Sequence, residues 1–262
     1  MSLYIFIFGL VVGSFVNVII FRVPKGRPFI NGRSMCPKCG NKLAWFDMIP
    51  VLSFLFLRGQ CRYCRKGISW TYPLVEIFSG LIFLIVCTSI TSNVFLQIFL
   101  IFVVECALVL AAIDYKHLIL PDSIIIFWVG GAAIMSAYFF NKFDKWWLFN
   151  KDHLWGTILL FCLMMAVWLL SKGKGLGFGD VKLAAATGFI FGFWDGLKIL
   201  YLGIVFGAVW AIFLLISRRA TLKTKLPLGF FVCLSVIFYL LGGDSLLLKL
   251  NYIFYSVPHI FK

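Results

Sequence analysis

Charge is scarce in this chain, and acid is scarcer still. Only 13% of its 262 residues are charged, with ten Asp and Glu against 24 Lys and Arg, and there are only three His. A soluble domain carries about 25% charged and about 45–50% apolar residues. Here 62% are hydrophobic and 18% aromatic, and the mean hydropathy is +1.01. That balance excludes a water-soluble protein, a disordered chain and a disulfide-stapled secreted module. Internal repeats and low-complexity tracts are missing as well. So is a basic stretch ahead of the first apolar run, which follows Met1-Ser2-Leu3 and has no small-residue cleavage site before Arg22; a removable signal peptide is not expected. What remains is an all-α polytopic membrane protein.

A helix needs roughly 20 mostly apolar residues to cross the hydrocarbon. Eight runs qualify, at about 3–21, 72–90, 94–113, 123–140, 154–170, 181–194, 197–216 and 226–242, the sixth being short and rich in Ala and Gly. Between the first two lies a small insert, residues 22–71, with ten Lys and Arg and a single acid, Asp47. Lys116, then Lys172, Lys174 and Lys182, then Arg218, Arg219, Lys223 and Lys225 fall in loops on the same side, 18 of the 24 basic residues in all. Lys142, Lys145, Lys151, Lys198, Lys249 and Lys262 fall on the other. Basic residues collect on the cytoplasmic face, so the insert is expected in the cytoplasm and both termini outside. The net charge of +14 then reflects topology and contact with anionic membrane lipids, and no nucleic-acid partner is expected.

Within the insert stand Cys36-Pro37-Lys38-Cys39 and Cys61-Arg62-Tyr63-Cys64. Two C-x-x-C knuckles so spaced are suited to a tetrahedral zinc site, each bringing two thiolates to one ion. A pair of disulfides is the alternative, and a reducing cytoplasm argues against it. Four thiolates leave no open position for a substrate, so the metal role is structural, and metal binding would supply folding free energy that a roughly 50-residue insert lacks. Cys87, Cys106, Cys162 and Cys233 lie in spans and are expected to pack as small apolar residues.

The few acids are the other signal. Asp114 closes the third apolar run, and Asp180 opens the sixth in Gly177-Phe178-Gly179-Asp180-Val181-Lys182-Leu183. Both fall at the cytoplasmic boundary, where helix packing can bring them together. Two adjacent carboxylates share a proton, because both cannot ionise cheaply. One then draws a proton from water while the other polarises a carbonyl, which is general acid–base hydrolysis with no covalent intermediate. Gly177 and Gly179 let a substrate backbone approach, with Lys182 and Asp122 nearby. The bland alternatives are a helix N-cap for Asp180 and an ion pair with Lys116 for Asp114. Glu105 lies inside a span, where an ionisable group is costly. His117 is expected in a loop near the headgroups; His153 and His259 fall on the far side. Trp45, Trp70, Trp128, Trp146, Trp147 and Trp155 fall mostly near span boundaries, as interfacial anchors do.

These motifs, in this order, resemble the bacterial type 4 prepilin leader peptidases, membrane aspartic peptidases of the G-x-G-D type. The resemblance runs from Gly13-Ser14-Phe15-Val16-Asn17-Val18 and Arg22-Val23-Pro24, through the tetracysteine insert and Tyr72-Pro73-Leu74-Val75-Glu76, to Asp114, Pro121-Asp122, the Gly177–Leu183 motif and Leu226-Pro227-Leu228-Gly229-Phe230. It implies cleavage of the basic leader from type IV prepilins or pseudopilins at the cytoplasmic face of the inner membrane. It implies N-methylation of the new N-terminal residue with S-adenosylmethionine as donor. By the same resemblance Asp114 and Asp180 are the catalytic pair, and the cysteines hold zinc in support of methylation. The division expected is a first transmembrane helix (1–21), the methylation-linked insert (22–71) and a peptidase domain (72–262). No G-x-G-x-x-G follows a strand, so a soluble methyltransferase fold is excluded. Glu76, near the membrane surface and able to bind an amine, is the candidate for methyl transfer. A peptidase without methyltransferase activity, and a non-enzymatic zinc-bearing scaffold, are the competing readings.

Overall fold

The apolar runs become helices in the computed structural model, which describes residues 1–29, 32–90, 93–143, 151–173, 175–219, 221 and 224–242. Lys145, Trp146, Trp147, Lys174, Lys223, Lys249, His259 and Lys262 lie outside the described residues, as does the side chain of Lys142. Helix α1 (Ser2–Arg22) leads into the insert, where α2 (Leu52–Phe56) and two 3-10 turns are the regular pieces. Then come α3 (Thr71–Ile85, prolonged by a π-helical turn, Val86–Ile90), α4 (Val94–His117), α5 (Asp122–Phe143), α6 (Lys151–Leu170), α7 (Phe178–Ile216) and α8 (Leu228–Leu241). Among the described residues, five helices are long and apolar enough to cross a bilayer (α1, α3, α4, α6 and α7), with shorter apolar helices in α5 and α8. The only β pairing among those residues is two isolated bridges in the insert, Met35 with Lys42 and Gln60 with Gly67.

Helix α7 is not one rod. Gly192 has φ 79° and ψ −178°. A side chain at Gly196 would fall 3.3 Å from the Gly188 Cα, whereas eight residues of straight helix separate two positions by about 12 Å. The chain therefore doubles back at Gly192, and its arms, 178–191 and 193–216, are the sixth and seventh apolar runs read from the sequence. Only glycine takes this backbone conformation cheaply. The reversal interrupts the helical hydrogen-bond ladder, and the Phe189 carbonyl lies 2.9 Å from His153 Nδ1 on α6. A carbonyl only accepts, so Nδ1 carries the hydrogen. His153 is buried and structural, in keeping with its place away from the acids.

Lipid tails give helices no hydrophobic reason to pair, so close approach through small residues does that work. A Cβ at Gly156 on α6 would meet the Gly192 carbonyl carbon at 2.6 Å and the Gly188 oxygen at 2.8 Å. Gly9 and Gly13 press α1 onto Gly80 and Glu76 of α3, and Gly203 presses the second arm of α7 onto Val232 of α8. Three sequence expectations need correction. Trp128 is fully buried, not an interfacial anchor, whereas Trp45, Trp70 and Trp155 are exposed. Cys162 is exposed on the bundle's outer surface, unlike the buried Cys106 and Cys233. His117 is the last residue of α4 and not part of a loop, because the helix runs one turn past the apolar stretch.

Candidate active site and metal centre

Asp114 and Asp180 arrive from helices of opposite direction. Asp114 sits in the last turn of α4, only 5% exposed. Asp180 is the third residue of α7, half-buried, and accepts a hydrogen bond from the Gly177 N–H at 3.2 Å. They meet at the N-terminus of α8, where the first turn leaves amide hydrogens without helical partners. The Phe230 N–H donates to Asp114 Oδ2 at 2.8 Å, and Gly229 lies beside both carboxylates. The helix dipole adds a partial positive charge at this spot and favours anionic groups there. Gly229 is bare for a reason: a Cβ would come 2.8 Å from Leu120 Cδ1 and 3.0 Å from Asp114 Oδ2. Gly179 has the same neighbour, with Leu120 Cβ 3.1 Å from where its own Cβ would be. Leu120, in the α4–α5 connection, thus fills the space between the two motifs.

The two bland alternatives fare differently. Gly177 occupies the N-cap of α7, and Asp180, the third residue of the helix, caps it from inside by accepting the Gly177 N–H. Lys116 does not pair with Asp114; its ammonium lies 4.0 Å over the Phe21 ring, which stacks on Tyr72 at 4.3 Å. Lys182 and Asp122 bind one another, with Nζ 2.7 and 2.8 Å from the two carboxylate oxygens. That bridge ties the starts of α5 and α7 together beside the acids. Exposed as it is, it adds little stability, up to about 1 kcal/mol.

Glu76 belongs to a second polar cluster, between α1, α3 and the insert. It is buried, accepts the Val51 N–H at 2.8 Å, and is hydrogen-bonded by the side chains of Ser14 and Asn17. Asn17 Nδ2 donates to the Tyr72 carbonyl at 3.0 Å, while its Oδ1 is buried with no partner. Val51 has φ 59° and ψ −49°, a conformation that β-branched residues rarely take. Deeper in the bundle, Ser79 Oγ lies 2.6 Å from Glu105 Oε1 and 2.8 Å from the Gly9 carbonyl, linking α3 to α4 and α1.

The four insert cysteines converge. The sulfurs of Cys36, Cys39, Cys61 and Cys64 all lie within 4.8 Å of one another, and none is in a disulfide. A tetrahedron of thiolates around zinc, with metal–sulfur distances of about 2.3 Å, fits that spacing. The knuckles are built alike. Cys36 N–H donates to Asn41 and the Gly40 N–H returns to Cys36; Cys61 N–H donates to Lys66 and the Arg65 N–H returns to Cys61. Gly40 (φ 73°) and Arg65 (φ 56°) take the same left-handed turn. Burial pushes the Cys36 thiol up, but the amides of Lys38 and Cys39 and the thiols of Cys39 and Cys61 bring it down to about 7. Asp47 joins the halves of the insert, accepting from Arg62 Nε at 2.8 Å and from the Ala44 N–H at 3.2 Å.

The sequence did not single out Gly229, Phe230, Leu120 or Val51 for the sites they occupy. Pro227 and Gly229 at the start of an expected helix were the available signal for the first two, since that pattern opens a helix and exposes its amides. For Val51, whose contact spans 25 residues, the sequence carried none.

These features define a class: a helical polytopic membrane protein with a carboxylate pair at a helix end and an attached insert whose four cysteines could hold a metal ion. Comparison with known proteins narrows it. Residues 7–90 match the family described as bacterial peptidase A24 N-terminal domain, and residues 101–212 match the type IV leader peptidase family. A prepilin leader peptidase/N-methyltransferase of Aeromonas salmonicida (strain A449) is 30% identical over 271 residues, covering 92% of this chain and 91% of that protein. The one of Bacillus subtilis (strain 168) is 29% identical over 244 residues, covering 93% and 95%. The one of Myxococcus xanthus (strain DK1622) is 36% identical over 229 residues, and the match covers 86% of this chain but 66% of that longer relative. No solved structure matches. The chain belongs to the type IV leader peptidase family.

Proposed function

We propose that this protein removes the leader peptide of type IV prepilins or pseudopilins by aspartic catalysis, with Asp114 and Asp180 as the catalytic pair, and that it then N-methylates the shortened product. The observation that carries the reading is that Asp114, at the end of α4, and Asp180, at the start of α7, stand together at the head of α8, where the Phe230 N–H donates to Asp114 at 2.8 Å. The peptidase with N-methyltransferase activity is what the relatives' names describe.

The chemistry follows from the pair. One carboxylate is ionised and takes a proton from the attacking water as its oxygen bonds to the scissile carbon. The other is protonated and gives its hydrogen to the carbonyl oxygen. When the tetrahedral diol collapses, the C–N bond breaks and the leaving amine receives a proton from the first acid, while one hydroxyl of the diol returns its hydrogen to the second acid as the C=O bond re-forms, so the pair ends with the single proton it began with. The Phe230 amide holds Asp114 in place and offsets part of the negative charge. Replacing either aspartate by asparagine and following leader cleavage of a purified prepilin in detergent or vesicles tests the assignment. Loss of cleavage by a folded protein is expected, and full cleavage by either variant refutes the pair.

Methyl transfer is assigned to the other polar cluster. S-adenosylmethionine supplies an electrophilic methyl group when bound. Glu76, with Asn17 and Ser14, offers carboxylate and amide oxygens suited to hold the new α-amine of the product, which loses a proton as its nitrogen gains the methyl group. The metal-bearing insert (22–71) supports this step, and residues 72–262 supply the peptidase, with 1–21 as a separate first transmembrane helix. The excess of basic residues in the insert and in the loops near the acids supports a cytoplasmic setting for both, at the inner membrane. Mass analysis of the processed N-terminus separates the activities: Glu76→Gln is expected to yield cleaved, unmethylated product. Methylated product from that variant overturns the assignment of Glu76.

A further inference from the structure

Helix α2 lies between two residues of left-handed backbone, Val51 (φ 59°) and Arg58 (φ 51°), which set its angle to the rest of the insert. Its start is fastened downward, by the bond from the Val51 N–H to Glu76 on the second turn of α3. Helical side chains tilt toward the N-terminus of their helix. The carboxylate therefore stands near the first turn of α3, and α2 lies at that level, not above the membrane edge. Ring contact between Phe54 and Trp70, with centroids 4.9 Å apart, pins the other side of α2 at the same height.

The outward face of α2 is apolar. Leu52, Leu55 and Phe56 are 51%, 61% and 83% exposed, and their spacing puts them on one side of the helix. That face continues into a stripe on α3, where Trp70, Leu74, Phe78 and Leu81 are all exposed at helical spacing. The α3 stripe belongs to a spanning helix and faces lipid. The insert that carries α2 is strongly basic: its ten basic residues stand against a single acid of its own, Asp47, which Arg62 already engages, and the Glu76 carboxylate beneath α2 is buried.

We infer that α2 is a lipid-anchoring element, which seats Leu52, Leu55 and Phe56 in the headgroup–acyl boundary of an anionic leaflet and so lays the metal module against the membrane. An amphipathic segment with basic surroundings binds such a surface by buried apolar area and by attraction to anionic headgroups together. The inference concerns placement of the insert and stands apart from the assignment of the acids.

The test uses the full chain in vesicles containing phosphatidylglycerol. The substitutions Phe56→p-benzoylphenylalanine and Leu55→p-benzoylphenylalanine are compared with Phe78→p-benzoylphenylalanine, which reports ordinary lipid contact. On irradiation, the probes at 55 and 56 are expected to give phospholipid adducts in yields comparable to that at 78. Replacing the anionic lipid by phosphatidylcholine is expected to lower the yield at 55 and 56 by roughly threefold and to leave 78 unchanged. An adduct at 78 with none at 55 and 56 overturns the inference. So do adducts at 55 and 56 to a second copy of the chain or to added prepilin in place of lipid. Equal yields in both lipids overturn the part played by anionic headgroups.

Discussion

The insert and the helical bundle solve the same problem by different means. The bundle has a continuous apolar core running through α1 and α3 to α8, into which glycines let helices sink. It can therefore hold two acids by burial and by the free amides of a helix end. Among the described residues of the insert only Cys36, Phe54 and Cys61 are buried hydrophobic residues, and two of these belong to the four-cysteine cluster. Its order comes from turns, from Asp47 and from four convergent sulfurs. Where a core is large, reactive groups are placed by packing; where it is small, ligand bonds replace packing.

That contrast is open to attack at several points. Removing the metal, by chelation or by Cys36→Ser with Cys39→Ser, withdraws a contribution on the order of 10 kcal/mol from the insert alone. Circular dichroism is expected to retain the helical signal, leader cleavage to persist and methylation to be lost; a coincident collapse of cleavage would mean that the two regions fold as one. The same site is sensitive to acid. Each thiol must shed its proton to become a ligand, so protons compete with the ion for the four sulfurs. Metal retention after dialysis should decline as the pH is lowered.

Asp114→Asn and Asp180→Asn come next, each expected to reduce cleavage by roughly 10³-fold while the metal content stays constant. Gly229→Ala is gentler. Its methyl group would push on Leu120 and on the Asp114 carboxylate, and a displacement of this kind costs about 10²-fold in rate. Thermal unfolding should change little. Gly156→Ala probes the bundle itself: a Cβ 2.6 Å from the Gly192 backbone forces α6 and α7 apart, at about 1–3 kcal/mol, read as a lower Tm. The smallest effect is a gain. Arg65→Gly relieves a left-handed non-glycine residue in the second knuckle and is expected to stabilise the insert by about 1 kcal/mol, measured as tighter metal retention.

The spans and the two reactive clusters were legible because each rests on residue type at a local spacing. Cys36 and Cys39 advertise a knuckle without help from the fold, and Asp180 between Gly179 and an apolar run advertises a helix start near a charge. Pairwise geometry was not legible. That Asp114 is held by the Phe230 amide beside Asp180 depends on α8, more than a hundred residues after α4. Trp128 shows the same limit. Its place near a span boundary suggested an anchor, but which side of α5 it occupies is decided by the neighbouring helices. A break between two apolar runs was visible, but it was read between 194 and 197; the reversal falls at Gly192, where glycine takes a backbone conformation that hydropathy does not mark, and its buried partner His153 on α6 was not visible.

The second arm of α7 does not stop where the carboxylates are. Gly207 lies against Phe231 in the first turn of α8, and the arm climbs nine residues farther to Ile216, about 14 Å by helical rise, with Trp210, Phe213 and Ile216 turned outward. On the opposite flank α4 ends three residues after Asp114. A tall oily post thus stands over one shoulder of the pair and a low wall over the other. A polypeptide that came in along the post would pass through surroundings where unpaired amides find nothing to bind, and would have to give up some of its own helical bonds before a peptide link could reach the acids.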